Sequence, residues 1–287
     1  MTIQTDPNMP VRADIGPGDL SFAIPTNGRP QSLGNGIASI RQHVGPKPRI
    51  LVLNSTPKET DAAIHDQYIR LAEADPNLLH IRLDHNVGPS EARQRMAEAC
   101  ETDFILFMDD DHEITAGAFE VLGAALIRHD LDIVAGRWIE EDSERALGFV
   151  YKDGFDHDGT RWIEKFPIRY HGDLAGRVIR MDDVLATMLC RRTVFDRVRF
   201  DAEFDFFFEL FDFFMSCAAA DLRVAAASDA VFLHKPTRYR SVSMRQTQDQ
   251  QADAARFRDK WGAAPKIHGL HLPPPSFVQR IKRKLRR

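Results

Sequence analysis

The run FILFMDDDHE sets Asp109, Asp110, Asp111, His112 and Glu113 directly behind an apolar strand. Three adjacent carboxylates repel one another, and a divalent cation would relieve that repulsion while offering a hard Lewis acid to phosphate oxygens. In an open α/β sheet ligands gather beyond the carboxyl ends of the strands, which is where this cluster falls. An acidic turn that merely helps to start a helix capped by Thr115 would need only one or two such acids. Downstream, FDAEFDFFFELFDFFMS holds seven phenylalanines between 204 and 214, with Glu203, Asp205, Glu209 and Asp212 among them. Apolar surroundings raise a carboxylate pKa and suit it to general-base work; the same pattern also reads as an amphipathic core helix with its acids in water. His234, ending the apolar run AVFLH, reads alone as an ordinary strand-end histidine. In NVGPSEARQR, Arg93 and Arg95 fall on the first turns of a helix behind Asn86 and Gly88, an arrangement that suits phosphate.

The elements that must position these groups alternate short apolar runs with helical stretches. Strands are predicted at LSFAI, RILVLN, LHIRL, DFILFM and LDIVAG, with spacers long enough for crossover helices, which implies βαβ units and a mainly parallel sheet buried on both faces. Pro89 opens one helix, with Ala92, Met96 and Ala99 on one face. From 137 to 180 the runs shorten and Gly and Asp break them, the pattern of an antiparallel insertion. Residues 1–19 read as a flexible leader. Residues 20–240 read as one catalytic domain, divided into 20–136 and 137–240, and residues 241–287 as a peripheral C-terminal extension.

Across 287 residues, 38 Lys and Arg stand against 42 Asp and Glu, for a net charge of -4, which argues against nucleic acid as a partner. Three widely separated cysteines form neither a disulfide framework nor a zinc site and suit a reducing, cytoplasmic setting. No run is long and apolar enough to span a bilayer. The tail SFVQRIKRKLRR spaces Phe277, Ile281 and Leu285 four apart among cations, a pattern that could lie on an anionic membrane, each basic residue adding about 1 kcal/mol.

The order of an apolar strand, IPTNGRP, NVGPSEAR and an acid triplet closing a strand resembles a GT-A glycosyltransferase of the broad family 2 type, with FMDDDHE as its Asp-x-Asp signature, over residues 20 to 236. Within that group, ADLRVAAASDAVFLH is similar to the ganglioside-type β-1,4-N-acetylgalactosaminyltransferases. The resemblance implies an α/β GT-A fold, a Rossmann-like sheet flanked by helices with an antiparallel insertion on the acceptor side. It implies a nucleotide-sugar donor, a UDP-sugar, and Mn²⁺ or Mg²⁺ held by Asp111 and His234, with Asp109 and Asp110 on the ribose or metal-bound water. Arg93 then lies near the diphosphate, and Thr26 and Arg29 seat the base and ribose. Where related chains have an acid at the end of the second strand, this chain has Asn54 and Ser55, and Asp84 is the acid that could compensate. The family's Glu-Asp pair is missing because Leu210 follows Glu209. Counting 22 positions back from His234 favours Asp212 as the base, with Glu209 second. The implied reaction is an inverting transfer to a glycan or lipid-linked acceptor, with residues 137 to 190 building the acceptor pocket. Two rivals are a non-catalytic nucleotide-sugar or glycan-binding module, motivated by the missing pair, and a nucleotidyltransferase, which would need a Gly-rich phosphate loop that the chain lacks.

Overall fold

The computed structural model describes residues 15–83, 85–140, 143–144, 146–204, 208–236 and 245–268. The first half runs β1 (Leu20–Thr26), α1 (Pro30–His43), β2 (Arg49–Asn54), α2 (Ala62–Ala74), β3 (Leu78–Arg82), α3 (Pro89–Ala99), β4 (Phe104–Phe107), β5 (His112–Ile114) and α4 (Ala118–Arg128). The second half continues with β6 (Ile133–Glu140), β7 (Ser143–Glu144), β8 (Ala146–Phe155), β9 (Arg161–Arg169), β10 (Val178–Arg180), β11 (Asp183–Val184) and β12 (Met188–Arg191). It closes with α5 (Glu209–Ala219), β13 (Val224–His234), α6 (Arg245–Trp261) and β14 (Ala264–Ile267).

The apolar runs become central strands because both of their faces are covered. The main sheet has the order β10-β13-β6-β12-β4-β1-β2-β3. Strands β3, β2, β1 and β4 are mutually parallel. Beyond β4 the sheet is mixed, because β12 enters antiparallel between β4 and β6, and β13 then runs parallel to β6. On one face Leu33, Ile37 and Ile40 of α1 and Leu122 and Leu126 of α4 pack against Phe22, Ile24 and Leu106. On the other, Ala92 and Met96 of α3 and Phe213, Phe214 and Cys217 of α5 pack against Ala23, Ile105 and Phe107. All three cysteines are free and buried.

The broken stretch after β6 forms a second sheet of order β11-β8-β9-β14, in which β8 and β9 are an antiparallel hairpin. Strand β14 pairs with β9, and Phe257 of α6 joins Phe204, Phe208, Phe211 and Ile163 in a third apolar cluster. Residues 245–268, read from sequence as peripheral, thus contribute to the core. Ile15, inside the expected leader, is buried against Gly123.

Thr115 does not cap α4. Gly117 holds that position at φ +80, and the Thr115 hydroxyl donates instead to the carbonyl of Val231 at 2.9 Å. A glycine tolerates the left-handed backbone that this turn requires, so the cap is conformational rather than hydrogen-bonded. Gly36 lets α1 run close under β5, since a Cβ there would lie 2.9 Å from the His112 carbonyl oxygen. Among the described residues no helix is long and apolar enough to cross a membrane.

Candidate active site

The carboxyl ends of β1, β2 and β4 open on one side of the sheet, and the acid triplet sits there. The His112 N–H donates to the Asp109 carbonyl at 3.1 Å and closes a tight turn into β5. That turn sends the three carboxylates to three different sets of partners. Asp109 accepts from Arg93 Nη2 at 3.1 Å. Asp110, 1% exposed, accepts from the Thr26 hydroxyl at 2.7 Å and from Arg29 Nε at 3.1 Å. Burial pushes its carboxyl up against the pull of Arg29 and Thr26. Asp111 accepts from Arg29 Nη1 through Oδ2 at 2.8 Å. Arginines from two elements therefore offset much of the repulsion that the sequence alone would give to a cation.

Tyr68 of α2 steadies the rim, accepting the Arg29 backbone N–H at 2.8 Å and sharing a 3.0 Å hydrogen bond with Thr26. Asn54 is buried and turned into its own loop, where its Oδ1 accepts from the Thr56 N–H at 3.0 Å and its amide nitrogen lies 3.2 Å from His80. Asn27 donates to Asn86 at 2.6 Å, which links the loops after β1 and β3. Asp84 lies outside the described residues.

Strand pairing brings in the histidines. β5 runs antiparallel to the end of β13 and sets His112 opposite His234, with ring centroids 4.7 Å apart and planes 19° from parallel. The second carboxylate oxygen of Asp111, Oδ1, faces His112 Nδ1 at 3.5 Å and His234 Nε2 at 3.8 Å. Burial opposes the charge on Asp111, but His234, Arg29 and His112 outweigh it and hold the carboxyl below its usual range. Asp111 in turn raises the His234 pKa against burial, and Glu140, 3.3 Å from Nδ1, adds to the effect. His112 is 1% exposed and burial lowers its pKa, favouring the neutral ring. Trp138 packs over both rings, 4.3 Å from His112 and 5.3 Å from His234. Glu140 and Trp138 carry no sequence signal, because only the register of β6 against β13 places them.

The two acids of α5 part company. Glu209, in the first turn, lies 3.8 Å from Arg93 Nη1, so Arg93 bridges it to Asp109. Burial pushes the Glu209 carboxyl up to about 7, with Arg93 and Lys165 pulling the other way. Asp212 is fully buried and accepts from Lys260 at 2.9 Å and from the Trp261 indole at 2.8 Å. The acid that counting favoured is thus occupied by α6, and Glu209 is the one beside the triplet. Together the cluster offers carboxylate and imidazole donors, two arginines suited to phosphate, and a buried carboxyl able to exchange a proton near neutrality.

The family described as Glycosyl transferase family 2 matches residues 21–199. Among solved structures, Staphylococcus aureus TarS 1-349 gives a TM-score of 0.54 at 15% identity, covering 84% of this chain and 72% of that one. The same protein in complex with UDP-GlcNAc gives 0.57 at 14%, covering 84% and 66%. GalNAc-T7 with UDP, GalNAc and Mn²⁺ gives 0.58 at 12%; the match covers 92% of this chain but 54%, about half, of that one. Identities this low speak for the fold alone. No curated protein sequence matches the chain. With the family matched across more than half the chain and the sheet built as these structures build it, the chain belongs to glycosyl transferase family 2 and is a glycosyltransferase of GT-A fold.

Proposed function

We propose that the enzyme moves a sugar from a UDP-sugar to a hydroxyl of a glycan or lipid-linked acceptor, with inversion at the anomeric carbon, and that Glu209 is its base. The observation that carries this reading is the bridge from Asp109 through Arg93 to Glu209, which ties the donor side of the cleft to a carboxyl that titrates near neutrality. That TarS was crystallised with UDP-GlcNAc, and GalNAc-T7 with UDP, GalNAc and Mn²⁺, supports a nucleotide-sugar donor here.

The donor set fits a divalent cation, Mn²⁺ or Mg²⁺. Asp111 Oδ1 has two imidazole nitrogens near it, both beyond hydrogen-bond range, and the other oxygen is already taken by Arg29. Asp111 and His234 would hold the ion, whose charge offsets that developing on the leaving diphosphate. Arg29 and Arg93 would orient phosphate oxygens, and the end of β1 and the turn after it, which carry Thr26 and Arg29, would seat the base and ribose, with Asn54 held by its own loop rather than offered to them. Glu209 accepts the proton of the acceptor hydroxyl as its oxygen bonds to the anomeric carbon and the nucleoside diphosphate departs from the opposite face. Burial favours the neutral acid that results, which helps this transfer.

A thermal-shift series over nucleotide sugars with and without Mn²⁺ tests the reading. A UDP-sugar with metal, at about a hundred times its Kd, adds about 2.7 kcal/mol to the unfolding free energy. If no UDP-sugar stabilises the protein at any metal concentration, the donor assignment is wrong.

A further inference from the structure

We propose that His112 is a third protein ligand of the divalent ion, beside Asp111 and His234, and that this second imidazole makes the centre prefer Mn²⁺ to Mg²⁺. The inference rests on the reading that an ion binds at Asp111 and His234, and it adds a ligand and a selectivity to it.

His112 is almost wholly buried, yet neither of its ring nitrogens has a hydrogen-bond partner. Leaving such a group unsatisfied costs on the order of 1–3 kcal/mol, so the ring calls for a partner. Its surroundings point to a ligand. One donor atom each from Asp111, His112 and His234 lies within 4.8 Å of the others. Two ligands bound about 2.1 Å from one ion are about 3.0 Å apart at a right angle and about 3.4 Å apart at the tetrahedral angle. The 3.5 Å and 3.8 Å separations from Asp111 Oδ1 are too long for good hydrogen bonds and need only a slight contraction around an ion.

The supporting residues agree. Glu140 lies 3.3 Å from His234 Nδ1, an outer carboxylate of the kind that fixes a metal-binding imidazole and turns its other nitrogen to the ion. Trp138 packs against both rings and limits the positions they can take. The ion then receives two imidazole nitrogens and one carboxylate oxygen. Mg²⁺ binds through oxygen, demands near-ideal octahedral geometry and gives up its waters reluctantly, so each imidazole that replaces a water at the centre disfavours Mg²⁺ relative to Mn²⁺.

Mn²⁺ binding to the full chain, measured by calorimetry and by electron spin-echo spectroscopy, is the test, with H112Q, H112F and H234N as variants. H112F keeps an aromatic ring between Trp138 and His234, so it separates loss of a ligand from loss of packing. The wild type should show nitrogen couplings from two imidazoles. Each His112 variant should show one, with Mn²⁺ affinity lowered about 10- to 100-fold or more and Mg²⁺ affinity changed far less. A wild-type spectrum with one nitrogen, or His112 variants that keep full Mn²⁺ affinity while H234N loses it, overturns the inference and leaves the metal reading intact. Failure of the wild type to bind Mn²⁺ at all overturns both.

Discussion

Glu209 and Asp212 lie one helical turn apart, yet a helix packed from far along the chain gives them different neighbours. Replacing Glu209 with Gln should lower kcat by about 10²- to 10⁴-fold, the usual worth of a general base, with donor binding retained. Asp212→Asn should leave kcat within a few-fold and instead destabilise the protein by about 1–3 kcal/mol in urea, because asparagine keeps one acceptor oxygen and turns an NH2 toward the other of its two donors, Lys260 and Trp261. The reverse result would restore Asp212 as the base. Distance along the sequence from His234 could not separate the two, since the partners that claim Asp212 lie 48 and 49 positions away. The pKa of Glu209 is raised by burial to about 7, which makes a second prediction with a definite sign. Its stabilising effect is full below the carboxyl's unfolded pKa and is lost as pH rises through about 7. Glu209→Gln should therefore be more stable than wild type at pH 8 and lose that advantage in acid. Turnover should rise with pH along a limb centred near 7, and a wild-type limb near pH 4 would contradict the assignment.

At the level of elements, the site depends on how β5 is held. It is three residues long, pinned to β13 on one side and crossed by α1 on the other. Gly36→Ala would drive a methyl into the His112 carbonyl, and the displacement should cost about 1–3 kcal/mol and weaken Mn²⁺ binding, read by urea unfolding and metal titration. Unchanged metal affinity would show that β5 does not set the geometry. Gly136 plays the matching part in β6, where a Cβ would collide with Phe232 and the Ala230 carbonyl beside the β6–β13 register shift. Strands such as FILFM and the helix opened by Pro89 were legible because continuous apolar runs and a first-turn proline have few other uses. The reversal of β12, the pairing of β14 with β9 and the facing of His112 and His234 were not, because each is a register between distant segments. Thr115 misled for a local reason: a hydroxyl suited to capping was taken by a carbonyl from β13, and glycine ended the turn instead.

For the whole molecule, charge is uneven in the sequence, and the cationic tail falls outside the described residues. Deleting 278–287 should reduce binding to vesicles containing phosphatidylserine and lower activity on lipid-linked acceptors, while activity on a soluble acceptor is retained. Equal vesicle binding by the shortened chain would remove the membrane role. The acid cluster, its arginine and its family were readable at this scale because the order of motifs along the chain is itself the signal. The acceptor was not, since the second sheet presents no pattern that names a sugar.

The contact between Asp212 and the end of α6 also bears on how the enzyme is made. A growing polypeptide leaves the ribosome N-terminus first, so strands β1 to β4 emerge long before Lys260 and Trp261 do. Once Phe208 and Phe211 have themselves been made, they lack the cover that Phe257 gives them until α6 follows. The aromatic residues on either side of Glu209 in the chain are thus a sticky surface during translation, the stage at which a chaperone would be needed most.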